Sequence, residues 1–188
     1  MSQTRQTINV MVDLETLGLK PDAKVISIGA VVFDIEKDLG DEFYKEIDWE
    51  NGSGTIDAST VKFWFSQAKK GNFPPLDSTT PEFIAVQGFW EFLSEVSGNF
   101  NKQVILWANG TDFDIPKIDR LFTHHHANEA FRYNAVRDYR TIAKVFGKYG
   151  LPPDKVDHHN AVADARWQAR HLISILKNLK ELGIEVNV

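Results

Sequence analysis

The stretch Ile8-Asn9-Val10-Met11-Val12-Asp13-Leu14-Glu15-Thr16-Leu17-Gly18 decides how the rest of the chain is read. An apolar run ends in two acids separated by one residue. Side chains alternate between the faces of a strand, so Asp13 and Glu15 project from the same face. Two carboxylates that close repel each other, and burial raises the cost. A divalent cation that prefers oxygen ligands, Mg²⁺ or Mn²⁺, relieves the repulsion. Acids at the end of a strand also cap helices or face water. The meaning of the pair therefore depends on whether the chain brings further acids to the same place.

The totals narrow the field. A chain of 188 residues with 43% hydrophobic and 25% charged residues fits one soluble domain spanning 1–188. A domain of that size buries about 70% of its unfolded surface. No apolar run approaches the ~18 residues of a membrane span, and Met1 to Thr7 lacks the apolar centre of a secretory signal. With no cysteine, disulfides and thiolate metal sites are excluded. A cytoplasmic location, in a bacterial or phage-infected cell, is the expectation. The net charge of −5 argues against a protein that coats DNA through a basic face. It is compatible with a metal enzyme acting on nucleic acid, because part of the negative charge is then a ligand cluster offset by bound cations.

Outward from the first strand, Val25 to Phe33 reads as a β-branched second strand and Glu42 to Trp49 as a third. The three form an antiparallel meander with the first strand central. A helix is expected from about Thr60 to Lys70, capped within Asp57 to Ser59 and stopped by Gly71. It carries Phe63, Trp64, Phe65 and Gln67. Three adjacent rings cannot share one helix face, so at least one is left for solvent or for stacking on a base. Thr80-Pro81-Glu82 opens a structural helix whose apolar face is Ala85, Phe89, Phe92 and Val96. Gln103 to Ala108 is a strand, and a helix follows from about Ile115 to His124. At that junction Asp114 reads as the cap before Ile115-Pro116, with Asp112 an equally acidic neighbour. His124-His125-His126 reads as a solvated helix end, since consecutive helical side chains point about 100° apart. Val136 to Ile142 is a short strand leading into a brief helix to Gly147. From Asn160 to Leu182, Val162, Ala165, Ala169, Leu172, Leu176 and Leu179 mark the longest clean helical stripe, ended by Gly183.

The start of that last helix, His158-His159-Asn160-Ala161-Val162-Ala163-Asp164, supplies the missing acid and a histidine. Asp13-x-Glu15, the Asn109-Gly110-x-x-Phe113-Asp114 segment and His159-x-Ala161-x-x-Asp164 resemble the three motifs of the DEDD 3′–5′ exonucleases, the DnaQ-like group. A histidine five residues before the last Asp marks the DEDDh branch. The tyrosine branch needs Tyr at the position held here by Asn160. Because the motif acid follows Phe, the resemblance favours Asp114 over Asp112. Val12 to Gly18, Ile26 to Val31, Thr60-x-x-Phe63-Trp64-x-x-Gln67 and Arg140-Thr141 are similar to one subgroup, the RNase AS-type exoribonucleases and phage exonuclease A proteins. The likeness covers nearly the whole chain. Phe63 departs from it, since the subgroup commonly has a second Trp there.

The resemblance implies an RNase H-like α/β fold, a five-stranded mixed sheet flanked by helices. It implies two Mg²⁺ or Mn²⁺ ions held by Asp13, Glu15, Asp114 and Asp164, with His159 as general base at a pKa near ~6.5. Leu17, Trp64, Gln67, Asn109 and Arg140 become candidate contacts to the substrate, a single-stranded 3′ end with RNA favoured over DNA. A phage-type exodeoxyribonuclease, or a silent nucleic-acid-binding module of the same fold, is the alternative. Members of the subgroup commonly form homodimers, which the residues themselves do not specify. For Arg140, a salt bridge to Asp138 stands beside a role in gripping phosphate.

Overall fold

The structure, a computed structural model, describes residues 6–127, 130–154 and 159–184. His158 lies outside them. The strands are β1 (Thr7–Thr16), β2 (Val25–Asp34), β3 (Asp38–Glu46), β4 (Gln103–Ala108) and β5 (Val136–Asp138). The helices are α1 (Ala58–Ala68), α2 (Glu82–Val96), α3 (Thr111–His124), α4 (Tyr139–Phe146) and α5 (Ala161–Glu181). The sheet order is β3-β2-β1-β4-β5. β2 pairs antiparallel with β1 and β3, whereas β4 pairs parallel with β1 and with β5. The sheet is therefore mixed, with β1 at its centre, as the sequence implies.

Helices cover both faces. Met11, Val31, Phe33, Ile105 and Trp107 pack under α5, beside Tyr139 and Ile142 of α4. Val10, Val12, Leu14, Ile28 and Ala30 pack against α2 and α3 on the opposite face. A smaller cluster of Leu17, Ile26 and Trp64 joins α1 to the end of β1. Among the described residues no helix is long and apolar enough to cross a membrane.

Three expectations needed correcting. β3 starts at Asp38 and ends at Glu46, earlier than the reading of Glu42 to Trp49. Its turn is only three residues long, held by Asp34 Oδ1 accepting from Glu36 N–H at 2.8 Å, with Asp38 at a φ of 109°. As a largely exposed edge strand it lacks the apolar alternation that marks β1 and β2. α3 begins at Thr111, so Asp114 sits in its first turn and is not its cap. The Thr111 N–H is met instead by Asp138 Oδ2 of β5 at 2.9 Å, a partner 27 residues away that local sequence cannot reveal. The histidine run is only partly solvated, because His125 Nε2 contacts the buried Glu82 at 2.8 Å.

The contact that positions the site is between β2 and the start of α5. Gly29 pairs with Asp13, and a Cβ there would lie 2.1 Å from Val162 N and 2.2 Å from the Ala161 carbonyl carbon. No side chain can give way, since both atoms are backbone. Gly29→Ala should therefore push α5 off the sheet and destabilise the fold by at least ~1–3 kcal/mol. Thermal denaturation should show a drop of roughly 2–4 °C per kcal/mol.

Candidate active site

β1 delivers Asp13 and Glu15 to the face that carries α5. The β1–β2 register shifts between Glu15 and Thr16, so regular pairing breaks where the acids end. Glu15 is 7% exposed and Asp13 half-buried. α5 starts at the same place because Asn160 Oδ1 accepts the Ala163 N–H at 3.1 Å, an ordinary side-chain cap. One turn in, Asp164 is also 7% exposed. Glu15, Asp164 and His159 each offer a ligand atom, all within 4.8 Å of one another.

His159 immediately precedes the α5 cap with a φ of 62°, a conformation disfavoured for a residue with a side chain. Its ring is held edge-on by Phe63 and Trp64, at centroid distances of 5.1 and 5.6 Å. Trp64 is itself fixed, its Nε1 donating to the Thr16 carbonyl at 3.0 Å.

Asp114 arrives from the opposite face of the sheet, 2% exposed at the start of α3. Burial pushes its carboxyl well above the usual range, and the charge on Asp13 adds to this. Lys117, the Leu14 N–H and Arg140 act the other way. Lys117 is fully buried, its Nζ donating to the carbonyls of Phe113 at 2.9 Å and Leu19 at 3.2 Å and lying 3.4 Å from the Phe113 ring centre. Burial lowers its pKa and the charge of Asp114 opposes that. A buried carboxylate pushed up by burial and by a neighbouring acid belongs to a donor set in want of positive charge. Carboxylate oxygens as the ligands fit Mg²⁺ or Mn²⁺.

Asp13, Glu15 and Asp164, but not Asp114, line a cavity of about 520 Å³ walled by Leu19, Phe63, Trp64, Asn109, Phe113 and Trp167. Phe63 is 41% exposed at the wall of this cavity. Of the residues the sequence marked as substrate contacts, Trp64 and Asn109 line this cavity and three others do not. Leu17 is buried with Ile26 and Trp64. Gln67 accepts from Asn72 Nδ2 at 3.3 Å near the end of α1. Arg140 Nη2 donates to the Asn109 carbonyl at 2.6 Å, and its guanidinium lies against Gly110, whose φ is 96°. Its charge helps the Thr111 and Thr141 N–H groups hold Asp138 below the usual carboxylate range, against the effect of burial.

Sequence reasoning passed over Gln168 and Lys117. Gln168 Nε2 donates to Asp13 Oδ1 at 2.8 Å, and the side chain is only 3% exposed. Its Oε1 is buried with no hydrogen-bond partner among the described residues. Flipping the amide would set that oxygen against the carboxylate, so the cost of leaving it unpaired is the cost of aiming an N–H at Asp13. The available signal was spacing, since Gln168 stands four residues after Asp164 on the same helix face.

The chain and its fold have known counterparts. Residues 8–176 match the family described as the Rv2179c-like 3′–5′ exoribonuclease domain. The chain belongs to that family. It is also 30% identical over 183 residues to the PolC-type DNA polymerase III of Thermotoga petrophila, and likewise to that of Thermotoga maritima. Those matches take in 93% of this chain but only 12% of each relative. Among solved structures it is similar to E. coli Exonuclease I in complex with a dT13 oligonucleotide, with a TM-score of 0.67 and 13% identity over 95% of this chain and 43% of that one. The nuclease domain of 3′hExo, a DEDDh family member bound to rAMP, gives a TM-score of 0.62 at 11% identity, covering 99% of this chain and 98% of that one. The fold is thus the RNase H-like fold of the DEDDh exonucleases.

Two outcomes are expected of the site acids. Gln168→Leu should weaken Mn²⁺ binding ~10–100-fold, as loss of a partner to a ligating carboxylate does. Isothermal titration measures it, and thermal stability should barely change. Asp114, with its folded pKa raised, contributes stability to the metal-free protein that is complete below its unfolded pKa of ~3.9 and lost as pH rises through the folded value. In EDTA the melting temperature should therefore fall over that rising-pH window, and Asp114→Asn should flatten the profile.

Proposed function

We propose that this chain is a divalent-metal-dependent 3′–5′ exonuclease that releases mononucleotides from single-stranded ends, with RNA as the preferred substrate. The observation that carries the reading is the convergence of Glu15, Asp164 and His159 beside Asp13 at the mouth of an aromatic-walled cavity. Family membership supports the 3′–5′ polarity and the preference for RNA.

Asp13, Glu15, Asp114 and Asp164 would hold two Mg²⁺ or Mn²⁺ ions, which when bound supply charge relief at phosphorus and a more acidic water. The protein's own residues account for the rest. Phe63 offers its exposed face to the terminal base, a contact that tolerates any sequence. Trp64 and Asn109 border the terminal nucleotide, and Leu19 closes the cavity on the side of β1. His159 accepts the proton of the attacking water on an imidazole nitrogen. The water oxygen bonds to phosphorus, the bond to the preceding 3′ oxygen breaks, and that oxygen takes up a proton. The products are a 5′-mononucleotide and a chain one residue shorter. Gln168 keeps Asp13 oriented, and Arg140 fixes the turn that carries Asn109. Lys117 braces α3 against the loop bearing Leu19.

A 3′-overhanging RNA and the matching DNA, incubated side by side with Mg²⁺ or Mn²⁺, test the proposal. Stepwise loss from the 3′ end is expected, faster on RNA, and abolished by Asp13→Ala. His159→Ala should keep metal binding and lose most turnover. Activity that survives Asp13→Ala, or none with either ion, overturns the reading. Faster loss of DNA would replace the RNA preference with an exodeoxyribonuclease role.

A further inference from the structure

α3 carries Asp114 in its first turn and His124 in its last, with about 15 Å of helix between them. At that distal end, Glu82 of α2 and His124 and His125 of α3 each offer one ligand atom, and the three atoms lie within 4.8 Å of one another. We propose that Glu82, His124 and His125 form a second cation site, suited to a transition metal such as Zn²⁺, that clamps the start of α2 to the end of α3.

The carboxylate is already built as a ligand. Glu82 is 6% exposed at the head of its helix. Ser53 donates its N–H to Oε2 at 3.0 Å and its hydroxyl to Oε1 at 2.7 Å. That hydroxyl in turn accepts from Arg120 Nη1 at 2.7 Å. Such outer partners fix the orientation of metal-bound carboxylates. They also leave Arg120 one residue removed from Glu82, so the buried charge is approached directly only by His125 Nε2, at 2.8 Å, among the described ion pairs.

A simple ion pair would need that one imidazole. The protein supplies two, with ring centres 4.7 Å apart. Protonating both would set like charges side by side, whereas a metal takes both as neutral ligands and displaces the shared proton. Consecutive residues inside a helix diverge, but here the helix is ending. His125 is its C-cap, at φ −97° and ψ 14°, and His126 turns to a φ of 54°. A cavity of about 260 Å³ bordered by His125, His126, Phe83 and Gln87 adjoins the group and leaves room for a water as fourth ligand. Two nitrogens and one oxygen suit tetrahedral Zn²⁺, in contrast to the oxygen-rich catalytic acids.

The test uses the full chain without a histidine tag, carrying Glu15→Gln and Asp164→Asn to remove the ligand atoms of the active-site cluster, titrated with Zn²⁺ against a chromogenic chelator. About one equivalent should bind. Adding His124→Ala, a substitution at an exposed position, should weaken that binding by about tenfold or more, and Glu82→Gln should do likewise. Zn²⁺ at ~100 times its Kd should raise the melting temperature by roughly 5–10 °C, an effect His124→Ala removes. No Zn²⁺ uptake by the Glu15→Gln/Asp164→Asn protein, or uptake indifferent to both His124→Ala and His125→Ala, overturns the proposal.

Discussion

Like charges buried together must be held together, and most of this fold can be read as the means. Asp13 and Glu15 leave the centre of the sheet, Asp164 descends on them from α5, and Asp114 rises from α3 on the other side. Left alone, such a group lowers its energy by binding protons or moving apart. Burial, and after it the charge on Asp13, pushes the Asp114 carboxyl above its usual range. What prevents the acids from separating is covalent and steric. β1 is paired on both sides, α5 is pressed onto Gly29 through backbone atoms, and α3 is tied to β5.

Asp138 shows how one short side chain coordinates several elements. One oxygen receives the Thr111 N–H that opens α3 and the other receives the Thr141 N–H that opens α4. Arg140, two residues on from Asp138, reaches back to the carbonyl of Asn109. The junction between β4 and α3, where Asp114 emerges, is thus held from β5 and α4. Charge at Asp138 and Arg140 matters to the site through this scaffold, whether or not either side chain meets a substrate.

How much of this was legible follows from where each signal resides. β1, β2 and α5 could be read because their patterns are local: a buried run ending in two acids, a β-branched run, a long apolar stripe. The edge strand β3 and the true start of α3 could not, since one has little burial to impose a pattern and the other is capped from 27 residues away. Within the site, the motifs pointed to Asp13, Glu15 and Asp164, which line one cavity, but the distinction between Leu17 and Leu19 depends on how the chain turns after β1. Leu17 enters the cluster with Trp64, while Leu19, 64% exposed, faces the cavity. The histidine run was legible in part, since His124 and His126 are exposed at the helix end while His125 meets Glu82. Reasoning from helical spacing holds only inside a helix, and the decisive partner, Glu82, comes from another element.

The placement of groups also separates what must stay fixed from what must adapt. All four acids stand on regular elements: Asp13 and Glu15 on β1, Asp164 in the first turn of α5 and Asp114 in the first turn of α3. Rigid elements hold ligand geometry better than loops do. His159 alone lies outside a strand or helix, in a strained backbone conformation and gripped by two rings of α1. If it is the base, that difference is mechanistically sensible. Ligands must keep their spacing through every cycle, whereas a base must meet water on one face and release its proton afterwards. Because Phe63 and Trp64 both wall the cavity and hold the imidazole, a base stacking on Phe63 would press on the same ring that positions His159. Occupation of the cavity and placement of the proton acceptor are then one packing event.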